Sequence, residues 1–415
     1  MNRPSFRLHV GVLVAIGSAI LIAAGPVPRW SELNHEANAA AKANDYKRLR
    51  DLLIQLRPLM PGNPRIAYNL AACEARLGNR EAALSGLRAW AQMGLVYNLS
   101  GDEDFASLAS SKPFAAILRQ VQHNQKPVSN AQLVATLQET DSLPEAIAYD
   151  SQSRRFFISS VRGRKIITLD GALFAKAEWP ILALAVDEKR RILWATSGWL
   201  PHCRDCVAGD EGKSELLAFD LDSRALKTRI PSPLAGLLGD MTISRNGEIY
   251  VSEGIHGAVL CLPVGATQLE RLDEPGEFPS PQTPALSADE KTLFVPDYMR
   301  GIAAIDLQTW SITWKQPADG IALSGIDGLY VHGGSFIAIQ NGTTPPRVVR
   351  FALDLRRQEV LEANTPGLGE PTHGTFDGGD FYFIADSGWN DYDDSGKKKA
   401  GRGPTHSTIR KIVLK

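Results

Sequence analysis

The chain repeats one pattern six times between Pro144 and Lys415: an apolar stretch closed by a polar residue, a turn, and a second apolar stretch. The polar residues that close the first stretches are spaced 37 to 57 residues apart, and they are Asp150, Asp187, Ser244, Ser287, His332 and Asp377. Repeats of this length with several short strands each are typical of β-propeller blades. The sequence therefore predicts a six-bladed propeller, in which the same position of every blade faces one central channel.

Two further features fit a closed ring. The segment Leu133–Leu137 alternates like a strand just before the first repeat, and the chain ends on a second such segment, HSTIRKIVLK. A ring closes when an early strand completes the last blade, so we expect these two segments to pair. Polar insertions in the second repeat (WLPHCRDCVAGDEGKSE) and the sixth (DYDDSGKKKAGRGPT) are expected on a rim, as a lid or a contact surface.

Residues 30–123 predict helices instead of strands. Asn63 followed by Pro64 is typical of a helix start, and Gly78 is typical of a helix end. The segment from Asn79 repeats the one from Asn44 at an offset of 35 residues. One apolar helix face has leucines at i, i+3, i+4 and i+7, namely Leu49, Leu52, Leu53 and Leu56.

This helical segment resembles the tetratricopeptide repeat. The pattern of that family is seen in the stretch RIAYNLAACEARLGNREAAL, which has small residues, Ala71 and Ala83, where paired helices would touch. Fewer than three repeats rarely bury a core alone, so we expect the arm to pack on the propeller, on a partner or on itself. A peptide or protein partner and a plain helical spacer both stay open. The predicted organisation is multidomain α plus all-β: an N-terminal segment 1–25, TPR-like helical hairpins 30–123, a linker 124–130 and a six-bladed β-propeller 131–415.

The N-terminus predicts export. Arg3 and Arg7 precede an uncharged run, Val10–Gly25, which ends in small residues as signal peptides do. Pro26 would hinder cleavage directly after Gly25, so an uncleaved anchor is the alternative and the one route to a membrane. We expect the protein in the periplasm or outside the cell. A net charge of −1 without a basic stripe argues against nucleic acid as a partner.

The two polar insertions each contain a short motif. Cys203 and Cys206 form a C-x-x-C directly after His202, but a structural zinc site needs four ligands, and a small loop disulfide suits an exported protein better. The segment Asp391–Gly396 matches the opening of a calcium loop. Arg402 stands where the closing glutamate would fall, which favours a solvated loop.

Carboxylates and amides are predicted to meet at the channel mouth. Counting back five residues from each closing polar residue gives the start of each inner strand: Glu145, Leu182, Gly239, Gln282, Asp327 and Thr372. Asp240 and His373 come next in their blades. Such oxygen donors suit a hard divalent cation, since calcium takes six to eight oxygen ligands. Alternatively, Glu145 and Asp327 accept backbone hydrogen bonds at their strand starts, as buried polar groups must.

In PEAIAYD and IDGLYV the repeats resemble the regucalcin/gluconolactonase (senescence marker protein) family over the propeller, about two thirds of the chain. The resemblance implies a calcium or zinc ion held by one glutamate, two asparagines and one aspartate, with Glu145 and Asp327 as the matching ligands. This chain departs at both asparagines, having Gly239 followed by Asp240 in the third blade and Gln282 in the fourth. Gln282 still offers an amide oxygen, and Asp240 or water would substitute at Gly239.

With an ion in place, the resemblance implies hydrolysis of a lactone or ester. The ion would polarise the carbonyl and lower the pKa of a bound water, and a nearby carboxylate would take the proton. Asp240 is the first candidate base, and His373 the second, because imidazole titrates in the useful range. Two functions are therefore predicted. One is a hydrolase of a small lactone, ester or sugar-derived ligand that depends on Ca²⁺, or on Zn²⁺. The other is a non-catalytic envelope protein that binds a partner through its rim and helical arm.

Overall fold

Short strands follow one another after residue 128, and in the computed structural model they form six antiparallel sheets. The structure describes residues 27–207 and 209–414. Each sheet contains four strands of one blade in radial order, so the predicted six-bladed propeller with preceding helices is confirmed. The predicted export segment, residues 1–25, lies outside the described residues. Within the described part, no helix is long and apolar enough to cross a bilayer.

The helical arm starts as its caps predict. Asn63 accepts hydrogen bonds from the backbone N–H groups of Arg65 and Ile66, and Gly78 ends its helix with a positive φ of 82°. All four leucines of the predicted apolar face are buried. The α-helices are α1 (Arg29–Lys42), α2 (Tyr46–Leu56), α3 (Pro64–Arg76), α4 (Arg80–Gln92) and α5 (Lys112–Asn124), with 3-10 turns at Leu99–Gly101 and Glu103–Leu108.

Each blade begins with its innermost strand. Two strands precede the blades, β1 (Val128–Ser129) and β2 (Ala131–Thr140). Blade 1 comprises β3 (Ile147–Asp150), β4 (Arg155–Ser160), β5 (Lys165–Thr168) and β6 (Leu173–Lys176); blade 2 comprises β7 (Ile181–Asp187), β8 (Ile192–Gly198), β9 (Ser214–Asp220) and β10 (Leu226–Pro231). Blade 3 comprises β11 (Leu238–Ile243), β12 (Ile249–Glu253), β13 (Ala258–Leu262) and β14 (Glu270–Arg271); blade 4 comprises β15 (Ala285–Leu286), β16 (Thr292–Asp297), β17 (Gly301–Asp306) and β18 (Ile312–Trp314). Blade 5 comprises β19 (Gly328–His332), β20 (Ser335–Gln340), β21 (Arg347–Ala352) and β22 (Gln358–Ala363); blade 6 has β23 (Gly374–Asp377), β24 (Asp380–Asp386) and β25 (His406–Val413).

The ring closes in blade 6. Strand β2 pairs antiparallel with β25, with Leu133 opposite Arg410 and Thr136 opposite Thr408, and supplies the outermost strand of that blade. The predicted pairing of the two ends of the propeller is therefore confirmed. The segment predicted as a linker is shorter than expected, because β1 pairs with β22 and adds a fifth strand to blade 5.

A repeated side-chain contact ties each blade to the segment that precedes it. The last residue of each second strand (in blade 2 the next-to-last) bonds through its side chain to the main chain about 17 residues earlier. The six contacts are Ser160–Ser142, Ser197–Trp179, Glu253–Leu237, Asp297–Ser280, Gln340–Ala322 and Asp386–Glu370. These contacts satisfy backbone groups that the turns would otherwise bury unpaired. They hold the start of each inner strand against the second strand of its own blade.

The helical arm packs on the propeller, one of the three expected outcomes. It lies on blades 4 and 5. The Arg300 guanidinium donates to the carbonyl of Leu59 (3.1 Å), and the amide of Leu323 donates to the carbonyl of Gly62 (2.9 Å). The contacted loops follow second strands or precede inner strands. The arm therefore covers the same face of the ring as the starts of the inner strands.

Candidate functional site

Four predicted site residues meet where the inner strands start. Glu145 precedes β3, Asp327 precedes β19, His373 precedes β23, and Asp240 lies in β11. Hydroxyl groups of the second strands fix this register, because Ser159 accepts the backbone N–H of Glu145 and Ser252 accepts that of Asp240. A ligand atom from each of Glu145, Asp327 and His373 lies within 4.8 Å of the other two.

His373 lies between two of the acidic residues. Its Nε2 is 2.9 Å from Oδ1 of Asp240, although the N–H is poorly aligned with that oxygen. Its Nδ1 is 2.6 Å from the backbone carbonyl of Glu145 and 3.9 Å from Oε1 of the same residue. Both ring nitrogens face oxygens that can only accept, so a doubly protonated imidazolium fits this position best.

Neutral side chains orient the carboxylates. Thr283 donates from its hydroxyl to Oδ2 of Asp240 (3.0 Å), and Asn341 donates from its amide to Oδ2 of Asp327 (2.7 Å). The indole N–H of Trp389, in the blade 6 insertion, donates to Oε2 of Glu145. Each carboxylate thus keeps one oxygen fixed by a neutral donor. The arrangement is rigid and largely closed to water, with the side chain of Glu145 only 16% exposed.

The buried acidic side chains of the site have raised pKa values, because several negative charges would otherwise lie close together away from water. Burial, then the neighbouring Asp327, raises the pKa of Glu145 to about 8. Burial likewise raises the pKa of Asp327 to about 6, against the influence of His373. Burial alone would lower the pKa of His373, but the carboxylates of Asp240, Asp327 and Glu145 outweigh it and hold that pKa well above its usual value.

The same residues close a circle of hydrogen bonds between blades. Thr196 donates to the carbonyl of Gly239, and the amide of Gly374 donates to the hydroxyl of Tyr330. The complete circle, from blade 1 round to blade 1, is Ser159–Leu182, Thr196–Gly239, Thr283–Asp240, Thr283–Asp327, Gly374–Tyr330 and His373–Glu145. His373 therefore also joins the last blade to the first. Some of the polar groups of the site therefore serve to join neighbouring blades.

One predicted ligand does not face the others. The side-chain amide of Gln282 donates to the carbonyl (3.3 Å) and hydroxyl (3.1 Å) of Ser280, which precedes it in the same connection. The neighbouring Thr283 contacts Asp240 in its place. The fixed count does place Gln282 in the register of Glu145, because the amide of Tyr298 donates to the carbonyl of Ser280 (2.9 Å) as the amide of Val161 donates to the carbonyl of Leu143 (3.1 Å). Only the side chain departs from the prediction, because its amide bonds to Ser280.

Two residues of the site, Asn341 and Trp389, were missed by sequence reasoning, whereas Thr283 directly follows Gln282 in the fixed count. Asn341 lay in a segment whose side-chain direction could not be assigned without the strand register. Trp389 lies in an insertion that has no counterpart in the other blades. The only available signal was position, because Asn341 directly follows the second strand of blade 5, as the loop that carries Trp389 follows that of blade 6.

The two minor motifs have clear outcomes. Cys203 and Cys206 form a disulfide, as predicted for the blade 2 insertion. The segment Asp391–Gly396 was predicted to be a solvated loop, and this prediction is only partly correct. Asp391 and Tyr392 are buried, and Asp391 pairs with Arg402 (3.3 Å). The arginine that replaces the closing glutamate therefore neutralises the first carboxylate of the loop.

No family description matches this chain, and no curated protein matches it. Among solved structures, virginiamycin B lyase from Staphylococcus aureus is 16% identical, with a TM-score of 0.44 over 61% of this chain and 82% of the other. The PQQ-bound aldose sugar dehydrogenase of Streptomyces coelicolor is 11% identical, with a TM-score of 0.45 over 69% and 99%. A luciferin-regenerating enzyme is 12% identical, with a TM-score of 0.46 over 69% and 95%. At identities and TM-scores this low, none of these likenesses indicates what this chain does.

Proposed function

We propose that this exported protein is a divalent-cation-dependent hydrolase of a lactone or related ester, with its site at the channel mouth. The supporting observation is the convergence of Glu145 and Asp327, from blades 1 and 5, with Asp240 and His373 in a nearly buried cluster. Three carboxylates in one dry site are costly unless a cation neutralises them. The likeness of PEAIAYD and IDGLYV to the gluconolactonase family agrees with this proposal.

The donor set fits a divalent cation. Glu145, Asp327 and Asp240 supply carboxylate oxygens, which calcium prefers, and the imidazole of His373 would also suit zinc. In protein without the divalent cation, the protonated ring of His373 supplies the positive charge. A bound ion would polarise the substrate carbonyl and make a bound water more acidic. Because ion and proton neutralise the same carboxylates, ion binding is expected to strengthen as pH rises.

The chain's own residues would orient the reactants and move the proton. Asn341 and Trp389 hold one oxygen each of Asp327 and Glu145, which leaves the second oxygens for the ligand. Asp240 is the proposed base, accepting the proton of the attacking water at Oδ1, beside Nε2 of His373. As water adds to the carbonyl carbon and the acyl C–O bond breaks, that proton passes to the leaving alkoxide.

Elemental analysis of the purified protein, before and after a chelator, tests the proposal. We expect one Ca²⁺ or Zn²⁺ per chain, and activity on a panel of lactones that chelation abolishes and the ion restores. Asp327→Asn should lose the ion. Asp377→Asn, which changes an exposed acid at the far end of an inner strand, should retain it. A native protein that binds no divalent ion at millimolar concentration contradicts the proposal.

One observation favours the second function, a non-catalytic envelope protein that binds a peptide, sugar or protein. A cavity of about 410 Å³ lies between the arm and the connection to blade 5, lined by Ile66, Leu70, Gly86 and Ala89 of the helices and by Pro317 and Ile321 of the connection. This hypothesis becomes the preferred one if the ion analysis is negative. Titration with a random peptide library would then test the cavity, with Ser85→Leu, at an exposed lining residue, as the blocking variant.

A further inference from the structure

The two long insertions lie on the face of the ring where the candidate site opens. One joins β8 to β9 and the other joins β24 to β25, so both follow a second strand. Second strands run antiparallel to the inner strands and end where those begin, as the pairing of Ile147 with Ile158 in blade 1 shows. Blades 2 and 6 flank blade 1, which carries Glu145. The insertions are therefore placed on either side of the same acidic residue.

The insertions contact each other through a buried aromatic cluster. The ring of His202, from the blade 2 insertion, packs edge-on against Trp389 from the blade 6 insertion, with ring centroids 4.7 Å apart. Both residues are buried, together with Tyr392 and Leu200. Leu143, Val161 and Leu182 pack beneath them. Buried apolar contacts of this kind hold two loops together as one body.

Arg162 of blade 1 joins the two insertions from the side. Its guanidinium donates to the carbonyl of His202 (3.2 Å) and stacks on the ring of Tyr392, 4.7 Å from the centroid. By contrast, neither ring nitrogen of His202 makes a well-aligned hydrogen bond, and the backbone of Asp393 in the blade 6 insertion is a polar group that acts on the ring. The position of the His202 ring therefore depends on packing, on this contact with the other insertion and on the conformation of its own loop.

The disulfide is placed to set that conformation. Cys203 directly follows His202, and its bond to Cys206 closes the turn that presents the ring to Trp389. Cys203 and Cys206 are only partly buried, so a small thiol can reach the bond. The other two cysteines, Cys73 and Cys261, are buried free thiols, so this is the one reducible bond among the chain's four cysteines.

We propose that the two insertions form a single lid over the channel mouth, that Trp389 positions Glu145 beneath it, and that the Cys203–Cys206 disulfide latches the lid shut. Reduction by a dithiol would release it. One thiolate attacks a sulfur of the protein disulfide and forms a mixed disulfide, and the second thiolate displaces the remaining protein sulfur. The dithiol is oxidised to its cyclic disulfide, and Cys203 and Cys206 each gain an electron and a proton. The consequence for Glu145 rests on the function proposed above.

Hydrogen–deuterium exchange measured on the whole protein tests the latch without any ion or substrate. With dithiothreitol, we expect the amides of residues 388–396 to exchange at least about tenfold faster, while those of β12 in blade 3 stay unchanged. The Cys203→Ser/Cys206→Ser double variant should exchange rapidly with or without dithiothreitol. Alkylation and mass measurement confirm that the bond has been reduced.

Two outcomes overturn the latch. One is unchanged exchange in residues 388–396 after complete reduction, and the other is faster exchange spread equally over the blade strands. The positioning role of Trp389 is tested separately with Trp389→Phe, which keeps a smaller aromatic ring against His202 and removes the indole N–H. It should weaken ion binding severalfold and leave the exchange of residues 198–207 unchanged. If wild-type protein binds no ion, the proposed function fails while the exchange result still decides the latch.

Discussion

His373 illustrates how a buried charge is tolerated at the scale of one residue. An imidazolium with two carboxylates around it and a backbone carbonyl on its other nitrogen is stabilised even though it is 5% exposed. The stabilisation is incomplete, because one positive ring faces three acidic side chains. The remaining imbalance appears as the raised pKa values of Glu145 and Asp327. Such imbalances are common at functional sites, where a ligand supplies the missing charge.

The raised pKa of Glu145 gives a pH prediction. A carboxyl whose folded pKa lies above its unfolded value stabilises the fold fully below the unfolded pKa, and this contribution is lost as pH rises through the folded pKa. For Glu145 that window runs from its ordinary value of 4.5 to about 8. In ion-free protein, Glu145→Gln should therefore be near-neutral at pH 5 and raise the free energy of unfolding by at least about 1 kcal/mol at pH 9.

Urea unfolding at the two pH values, with a chelator present, measures this difference. Asp377→Asn serves as the control and should change stability equally at both. Equal stability of Glu145→Gln and the wild type at pH 9 would show that the carboxylate is already compensated in the ion-free protein.

Which site residues could be predicted depended on their distance from a strand start. Glu145 and Asp327 belong to short motifs fixed against the inner strand, and Asp240 and His373 are one position further on. Their meeting followed from ring symmetry alone. Gln282 lies in the expected register, but its side-chain amide bonds to Ser280 and does not face the other ligands. Trp389 was beyond prediction, because the path of an insertion depends on tertiary contacts such as its packing against His202.

Among the elements, strand β2 has the largest influence on the ring. It joins a segment near residue 135 to the C-terminal strand, so its pairing closes a loop of about 270 residues. Leu137 is 2% exposed and Leu133 is 59% exposed, although residues four apart in a regular strand share a face. The difference arises because the pairing register with β25 shifts between Leu133 and Ala135. Strand β1, in contrast, is two residues long and has no readable periodicity. Its addition to blade 5 was not predicted for that reason.

A matched pair of substitutions tests the closure. Leu137→Ala removes a side chain packed against Ile147, Ile384 and Ile409, and should lower the free energy of unfolding by about 3 kcal/mol. Leu133→Ala, on the same strand but exposed, should stay within about 0.5 kcal/mol of the wild type. Chemical denaturation followed by circular dichroism measures both. Equal effects of the two changes would mean that the strand does not close the ring in solution.

At the scale of the whole molecule, the arm and the insertions crowd the face that carries the site, with the arm over blades 4 and 5. One buried residue of blade 5, Arg347, connects that blade to the arm. The Arg347 guanidinium, fully buried in β21, donates to Oε1 of Gln340 (2.8 Å) and to the carbonyl of Met93 in the arm (2.6 Å). Burial lowers its pKa to about 10, and none of the ion pairs among the described residues includes it.

Arg347→Met keeps much of the side-chain volume and removes the contact with Met93. Because the two apolar clusters of the arm include only one propeller residue, Ala322, the loss should loosen the contact between arm and blade 5 without unfolding either part. The amide of Val96, which donates to the carbonyl of Thr344 (2.8 Å), lies within this contact and reports on it. Its hydrogen exchange should accelerate by at least about tenfold, while the amides of α2 stay protected.

Arg350→Met, on the same strand but paired with the exposed Glu359, should leave the exchange of the Val96 amide unchanged. Unchanged exchange in Arg347→Met would mean that the docking of the arm depends on its apolar contacts alone, and that this buried cation has another use.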